Sequence, residues 1–402
     1  MSRAKILVLM ERYWPKGSGT GLATHLITSI LKDFAEVKVV TGTRNHVVGE
    51  GIEYIYEPLL DTKEVVPLLL LNSLAFASTG KFVKLVKWSD IVYIPGFAYP
   101  LIPAAKKLGK IVIVHCHDYM PVTYSAAILA PYEKHKHMIK EGDELIERIW
   151  GLKYFIGYKI FWWRTHLIKR CLVEADQILC VSKRQAKIIG DLLPEVRNKI
   201  QVIYNPLPDS FLNVKKNLNP RAPTFLYVSG ERYIKGFWIM LKLIMELVRY
   251  RTKVNFIFTN EFTGKPRRAL QNVITRYGDL IRHVGRVTDK QLLQLHSGAW
   301  GLIFPSIWEE PLPYAVMESM ASGTIPIASK VGGIPEIVEG TIAESFLFSL
   351  NSIDELIKKV EYVASLSRVE VEEIGVKLRE TMLKWFNRET IKEQLQKILI
   401  NA

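Results

Sequence analysis

At 402 residues the chain is longer than one hydrophobic core usually serves, so two domains are expected. Its 49% hydrophobic content marks a globular chain, yet no apolar run reaches spanning length, and MSRAKILVLMERYWPKG turns polar too soon for a signal-peptide core. The net charge of +14 points to an anionic partner, while no basic block resembles a nucleic-acid-binding arm. Three scattered cysteines, Cys116, Cys171 and Cys180, are too few for a disulfide framework or a four-ligand zinc site. They are expected to be reduced and mostly buried, in a cytoplasmic protein.

Short apolar runs alternate with helical patterns along the chain, which predicts an α/β protein with parallel sheets covered by helices. The first strand, Lys5 to Met10, leads into ERYWPKGSGTGLATHLITSIL. Here Gly17, Gly19 and Gly21 precede a helix with Leu22, Leu26 and Ile30 on one face. Glycines let backbone amides approach a phosphate or sugar closely. Their alternate spacing is not the G-x-G-x-x-G dinucleotide fingerprint, which argues against a nicotinamide-dependent oxidoreductase. A flexible loop with no ligand is the other reading, and the position after strand one favours ligand contact.

Strands follow at Val37 to Thr41, Ile91 to Ile94 and Ile111 to His115. The last runs out through His115, Cys116, His117 and Asp118, with the two histidines on one face of the strand. His117, at the tip, can offer a carbonyl or a ring nitrogen to a sugar. A satisfied core histidine and a metal ligand are the competing readings, the second weak because no further ligands stand at a familiar spacing. Between Leu145 and Arg170 the aromatics Trp150, Tyr154, Phe155, Tyr158, Phe161, Trp162 and Trp163 interleave with Lys153, Lys159, Arg164, Lys169 and Arg170. That composition suits a helix in a membrane interface, or equally one packed at its domain edge with snorkelling lysines.

After strands at Ile178 to Val181 and Val202 to Tyr204, the four-proline stretch Asn205 to Thr224 reads as a linker. The alternation restarts with Phe225 to Val228, Asn255 to Phe258, Ile281 to Val284, Leu302 to Phe304 and Ile325 to Ala328. In SGERYIKG, Gly230, Arg232 and Lys235 stand between a strand and a helix, where both cations can engage one diphosphate. Solvated loop charges are the alternative.

The most informative segment is PSIWEEPLPYAVMESMASG. Pro311 and Pro313 predict a loop and then a helix starting near Pro313, stopped by Gly323. Glu310 falls in the loop and Glu318 about one turn into the helix. Pro311, Leu312, Pro313 and Tyr314 make a helix start whose unpaired amides suit a phosphate, with one carboxylate on each side. An ordinary charged helix start is the competing reading. Farther on, Gly332 and Gly333 precede Pro335 and Glu336 at another helix start whose amides could face a ligand. The last helical stretch, about Val369 to Leu399, is expected to cross back to the first half. The predicted divisions are residues 1–206, 207–375 and a returning helix at 376–402.

Together these segments resemble the retaining glycosyltransferases of family 4, across nearly the whole chain. The strongest part is Glu310-PLPYAVM-Glu318 followed by ASGTIPIASKVGGIPEIV. It is supported in order by the glycine loop, His117-Asp118, ADQILCVS, VIYNP, Lys235-Gly236 and HVGRVTDKQLLQLHS. The resemblance implies the GT-B fold, two Rossmann-like domains facing across a cleft, the first on the acceptor side and the second binding the nucleotide sugar. It implies a hexosyltransferase that takes sugar from a nucleoside-diphosphate sugar to a glycan, lipid-linked or other hydroxyl acceptor. Glu310 would contact the donor sugar, Glu318 the ribose, Lys235 the diphosphate, and His117 the transferred sugar. Cations and helix-start amides can stabilise the leaving phosphate, so no obligatory metal or other cofactor is expected. An epimerase or phosphorylase on the same scaffold, or a basic nucleotide-binding protein without catalysis, stays open. An anionic membrane surface is a candidate partner at the inner face of the cell membrane, and nucleic acid is not.

Overall fold

The computed structural model describes residues 3–16, 18–61, 66–218, 222–350 and 352–400. It divides into two compact units: Met1–Ile128 with Met138–Pro206 and Arg388–Ala402, and Leu129–His137 with Leu207–Asn387.

The first unit holds seven strands, β1 (Ala4–Met10), β2 (Ala35–Thr41), β3 (Ile52–Tyr56), β4 (Ile91–Ile94), β5 (Ile111–Cys116), β6 (Gln177–Cys180) and β7 (Ile200–Val202). They form one parallel sheet in the order β3-β2-β1-β4-β5-β6-β7. The second unit holds β8 (Thr224–Tyr227), β9 (Asn255–Phe258), β10 (Ile281–His283), β11 (Gly301–Phe304), β12 (Ile325–Ser329) and β13 (Leu347–Phe348). Their order is β10-β9-β8-β11-β12-β13, again all parallel. Parallel pairing requires crossovers, and the intervening helices cover both sheet faces. Ile6 through Met10 of β1 are therefore each at most 1% exposed, as a strand buried on both sides demands.

Three expectations are corrected by the structure. Strands β3 and β13 were not anticipated: β3 is a half-exposed edge strand containing Glu53, and β13 is only two residues long. Strand β7 ends at Val202, where the expected strand begins; Gln201, inside β7, breaks the apolar run that marks strands elsewhere in this chain. The proline-rich stretch is no loose linker from Leu207 onward. Phe211, Val214 and Leu218 are buried in the second unit, and Lys216 Nζ donates to His296 O at 2.8 Å, Ala299 O at 2.9 Å and Thr324 Oγ1 at 2.8 Å. Three acceptors match the three N–H groups of an ammonium, so the half-buried Lys216 is fully paired when charged, while desolvation, with Arg379 adding, pushes its pKa down to about 7.

The expected returning segment 376–402 also divides differently. Helix Arg368–Trp385 stays with the second unit, packing on helix Tyr314–Ala321 so closely that a Cβ on Gly375 would lie 2.6 Å from Gly323 O. Only Arg388–Ile400 belongs to the first unit, where Ile391, Leu395 and Ile398 join a core containing Ile27, Ile30 and Leu31. Arg388 fixes that contact by donating to Ser29 Oγ at 2.9 Å and Asp33 Oδ2 at 3.0 Å. The break between the two helices falls at Phe386–Asn387, which carry neither glycine nor proline to mark it.

Candidate active site at the two strand-order reversals

Each sheet reverses its strand order once, between β1 and β4 in the first unit and between β8 and β11 in the second. Loops leaving the carboxyl ends of such strands diverge and leave a crevice that suits a ligand. Of the predicted site residues, Gly19 and Gly21 follow β1, Gly230, Arg232 and Lys235 follow β8, Glu310 to Glu318 follow β11, and His117 follows β5, one strand beyond the first reversal.

In the second unit, the loop after β8 is shaped by two glycines with left-handed backbone, Gly230 and Gly236, both at φ +75°. Tyr227 Oη donates to Gly230 O at 2.8 Å and fixes the first turn. A Cβ on Gly236 would lie 1.8 Å from Pro305 O, so only glycine lets this loop close on the one after β11. The closure delivers Lys235 to Glu310, with Nζ at 2.8 Å from Oε1 and 3.0 Å from Oε2. Ser306 Oγ and Trp308 Nε1 also donate to Glu310 Oε1, at 2.7 and 2.6 Å. Glu310 is 2% exposed, a buried carboxylate whose charge is met by one cation and two neutral donors.

Arg232 does not share this arrangement: it is exposed, just before the short 3-10 turn Tyr233–Lys235. Arg232 and Lys235 thus do not converge in this arrangement, where Lys235 alone is engaged, by the Glu310 carboxylate. The amides expected to face a ligand at Gly332-Gly333 are taken as well. Gly332 N donates to Glu309 Oε2 at 3.1 Å and Gly333 N to Glu310 O at 2.7 Å. Gly332, at φ +56°, has no room for a side chain, since its Cβ would meet Glu310 O at 2.0 Å.

Helix Tyr314–Ala321 starts after Pro313 with no side-chain cap, and Val316 N and Met317 N donate to Pro313 O at 3.2 and 3.4 Å. Pro311, Leu312, Pro313 and Tyr314 are buried around that start. Glu318 lies one turn in and is buried, and this burial, with Asp289 adding to it, pushes its carboxyl up to about 8. Gly323, at φ +66°, ends the helix as anticipated.

Glu309 was missed. It is 1% exposed, and its Oε1 accepts from Tyr132 N at 2.6 Å. Tyr132 sits in Leu129–His137, a segment that follows β5 in sequence yet belongs to the second unit. There Leu129 forms an antiparallel bridge with Trp308, and Ala130 N donates to Ile307 O at 3.0 Å. Beside Glu310 in the sequence, Glu309 carries no spacing signal of its own.

In the first unit the reversal is occupied by Glu11, also missed, directly after β1. Its Oε2 accepts from Phe97 N at 3.0 Å in the loop after β4, and Gly96 leaves room for the carboxylate. An acid immediately beyond the first strand was the available signal. At the end of β5, Tyr93 Oη and His115 Nδ1 share a 2.6 Å hydrogen bond, which makes His115 a core residue. The His117 ring lies 4.3 Å from that of His115, and its Nε2 is buried without a hydrogen-bond partner among the described residues. Burial lowers its pKa to about 3, so the imidazole is neutral at pH 7. Asp118 is raised to about 7, mainly by burial, with Met120 N opposing and Glu11 adding.

The glycine loop is corrected. Helix Ser18–Leu31 begins earlier than expected, so Gly19 and Gly21 lie in its first turn and not in a loop before it. A Cβ on Gly21 would stand 2.4 Å from Lys16 O, which is why the turn needs glycine there. Gly17 lies outside the described residues.

Two Rossmann-like units, each with polar side chains at its strand-order reversal, define the GT-B class of protein. Residues 23–211 match the model of glycosyltransferase family 4, and residues 210–380 that of glycosyl transferases group 1. The chain belongs to this glycosyltransferase family. An uncharacterized glycosyltransferase of Methanocaldococcus jannaschii, MJ1607, is 25% identical over 277 residues, 61% of this chain and 66% of its own length. The alpha-maltose-1-phosphate synthase of Mycobacterium tuberculosis is 24% identical over 209 residues, 48% of this chain and 52% of its own. The matches thus span less than two thirds of these relatives. Among solved structures, Anabaena HepE in complex with UDP and glucose superposes with a TM-score of 0.69 at 18% identity, covering 99% of this chain and all of that one.

Proposed function

We propose that the chain is a retaining glycosyltransferase that moves a hexosyl group from a nucleoside-diphosphate sugar to a hydroxyl of a glycan or lipid-linked acceptor. The observation that carries this reading is the Lys235–Glu310 pair at the second reversal, with Glu318 one turn into the helix that follows. Lys235 and the N–H groups at the start of helix Tyr314–Ala321 then face the diphosphate, with Pro311, Leu312, Pro313 and Tyr314 lining that start, and Glu318 takes the ribose hydroxyls. Glu310 accepts from hydroxyls of the donor sugar. The first unit presents the acceptor, with neutral His117 bonding the transferred sugar, and Gly19 and Gly21 admit the ligand close to the helix start. Arg232 is a peripheral contact for the diphosphate. Buried free thiols at Cys116, Cys171 and Cys180 fit a reducing, cytoplasmic setting.

In the reaction, the bond from the anomeric carbon to the diphosphate oxygen breaks while the acceptor oxygen bonds to the same face of that carbon. The acceptor proton passes to the departing phosphate oxygen. Charge developing on that phosphate is met by Lys235 and the amides, the preorganised donors that make such sites effective, so no divalent ion is required.

The test is turnover with a panel of UDP-, GDP- and ADP-sugars and a glycan and lipid extract. Nucleoside diphosphate should be released only with acceptor, with the anomeric configuration kept and with EDTA without effect. Inversion or a trapped covalent glycosyl-enzyme would overturn the same-face step. Acceptor-independent release of an isomerised nucleotide sugar or free sugar would favour the epimerase reading.

A further inference from the structure

Helices Ile139–Trp150 and Leu152–Phe161 of the first unit pack on each other and leave an apolar stripe uncovered. It is formed by Leu145 and Ile149 on the first helix and by Leu152, Ile156 and Ile160 on the second, continued by Trp163. Their spacing is that of one helical face, and Leu152 is 73% exposed. The other faces are anchored, with Asp143, Ile146 and Glu147 buried on the first helix and Tyr158 on the second. The helices are therefore held in place by the core while presenting side chains that water disfavours.

The charge around the stripe indicates what covers it. Residues 151–170 contain five cations and no carboxylate. Although Ile139–Trp150 sets Glu141, Asp143, Glu144 and Glu147 against Lys140 and Arg148, residues 139–170 together keep seven cations to four carboxylates. Arg164 is buried against Tyr124, and Lys159 is shared with Glu144 at 2.8 Å, while Lys153 and Arg170 are exposed. The aromatics beside them, Tyr154 and Trp162, are also exposed. The same chemistry recurs in Val66–Ala77 and Gly80–Trp88, a bent pair at 78° that exposes Leu68, Leu71 and Leu74 beside three exposed lysines. Helix Leu101–Lys107 packs against both Val66–Ala77 and Arg164–Val173, so the two regions share one side of the sheet. Among the described residues no single helix is long and apolar enough to cross a membrane.

Amphipathic rings and apolar side chains at the level of lysine and arginine suit the boundary between headgroups and acyl chains. A second copy is a poor occupant, because a two-fold interface would set these cations against themselves. We infer that this face of the first unit docks on an anionic bilayer, with the stripe in the interfacial region and the exposed cations on lipid phosphates. The inference stands apart from the transfer reading.

Its test is co-sedimentation of the full chain with vesicles of phosphatidylcholine containing about 30% phosphatidylglycerol, where cations and stripe act together. At about 0.05 M NaCl, binding should exceed that to pure phosphatidylcholine by about tenfold or more, and most of the excess should vanish at about 0.5 M. The variant Leu152→Ser/Ile156→Ser/Ile160→Ser should lose about tenfold in binding at an unchanged melting temperature, since these side chains are exposed. Lys153→Glu/Lys159→Glu should remove the salt-dependent part. Equal binding by the serine variant, or no preference for the anionic vesicles at low salt, overturns the proposal. So does a dimer in solution that the serine variant dissolves, which would make a second copy the occupant. Nucleotide stabilisation of the same variants, expected to match wild type, reports on the transfer reading separately.

Discussion

Glu310→Gln is expected to slow sugar transfer by about 100-fold or more, the scale of losing a preorganised charged contact in a water-excluded site. It should also lower stability by about 2 kcal/mol, below the range for breaking a fully buried pair because Lys235 keeps 25% of its side chain exposed. The amide can still accept from Ser306 and Trp308, so the loss centres on the lysine left without its counter-charge. Adding Lys235→Met removes that uncompensated cation, and the double variant should recover most of the stability as measured by urea denaturation. It should not recover turnover, because the donor to the leaving phosphate is gone. Recovery of both would mean that the pair serves only to hold the two loops together.

The second large effect is a pH dependence of nucleotide affinity set by Glu318. Burial holds its carboxyl up to about 8, so below that pH the site is mostly protonated before nucleotide binds. Ribose hydroxyls that donate to this group favour the ionised form, so binding should release a proton. Affinity should then rise with pH from about 5 to 8, by at most tenfold per unit, and level off above. The terminal phosphate titrates too, so the comparison that matters is with Glu318→Gln, whose profile should be flatter. Calorimetry in buffers of different ionisation enthalpy measures the proton directly, and identical proton release by wild type and Glu318→Gln would remove this carboxylate from the nucleotide site. Stability follows the same linkage. A folded pKa above the unfolded one gives a contribution fully present below about 4.5 and lost as pH rises through about 8.

The residues that were legible in the sequence are those whose signal is local. Two prolines before an apolar helical run placed the start of helix Tyr314–Ala321, and Gly323 placed its end. Runs buried on both faces, such as β1, announced the parallel sheets, whereas the half-exposed edge strand β3 and the two-residue β13 carry no such run. Lys235 could be named from its turn, but its engagement with Glu310 depends on Gly236 closing against Pro305, residues far apart in the chain. Glu309 shows the limit most clearly. Its carboxylate joins Tyr132 N to Gly332 N, and neither partner can be read from its neighbours in sequence. Glu11 is similar, since its partner Phe97 N is brought to it by the pairing of β1 with β4. The division of the last two helices between the units likewise rests on what each buries, not on a break signal in the chain.

The most direct measurement is thermal stabilisation by UDP, GDP, ADP and their sugar conjugates, made on the native chain and on Glu318→Ala. Nucleotide-sugar transfer at this site predicts that one base stabilises the native chain selectively and that the shift is lost in the variant. No shift with any of them, or an equal shift in Glu318→Ala, would contradict it.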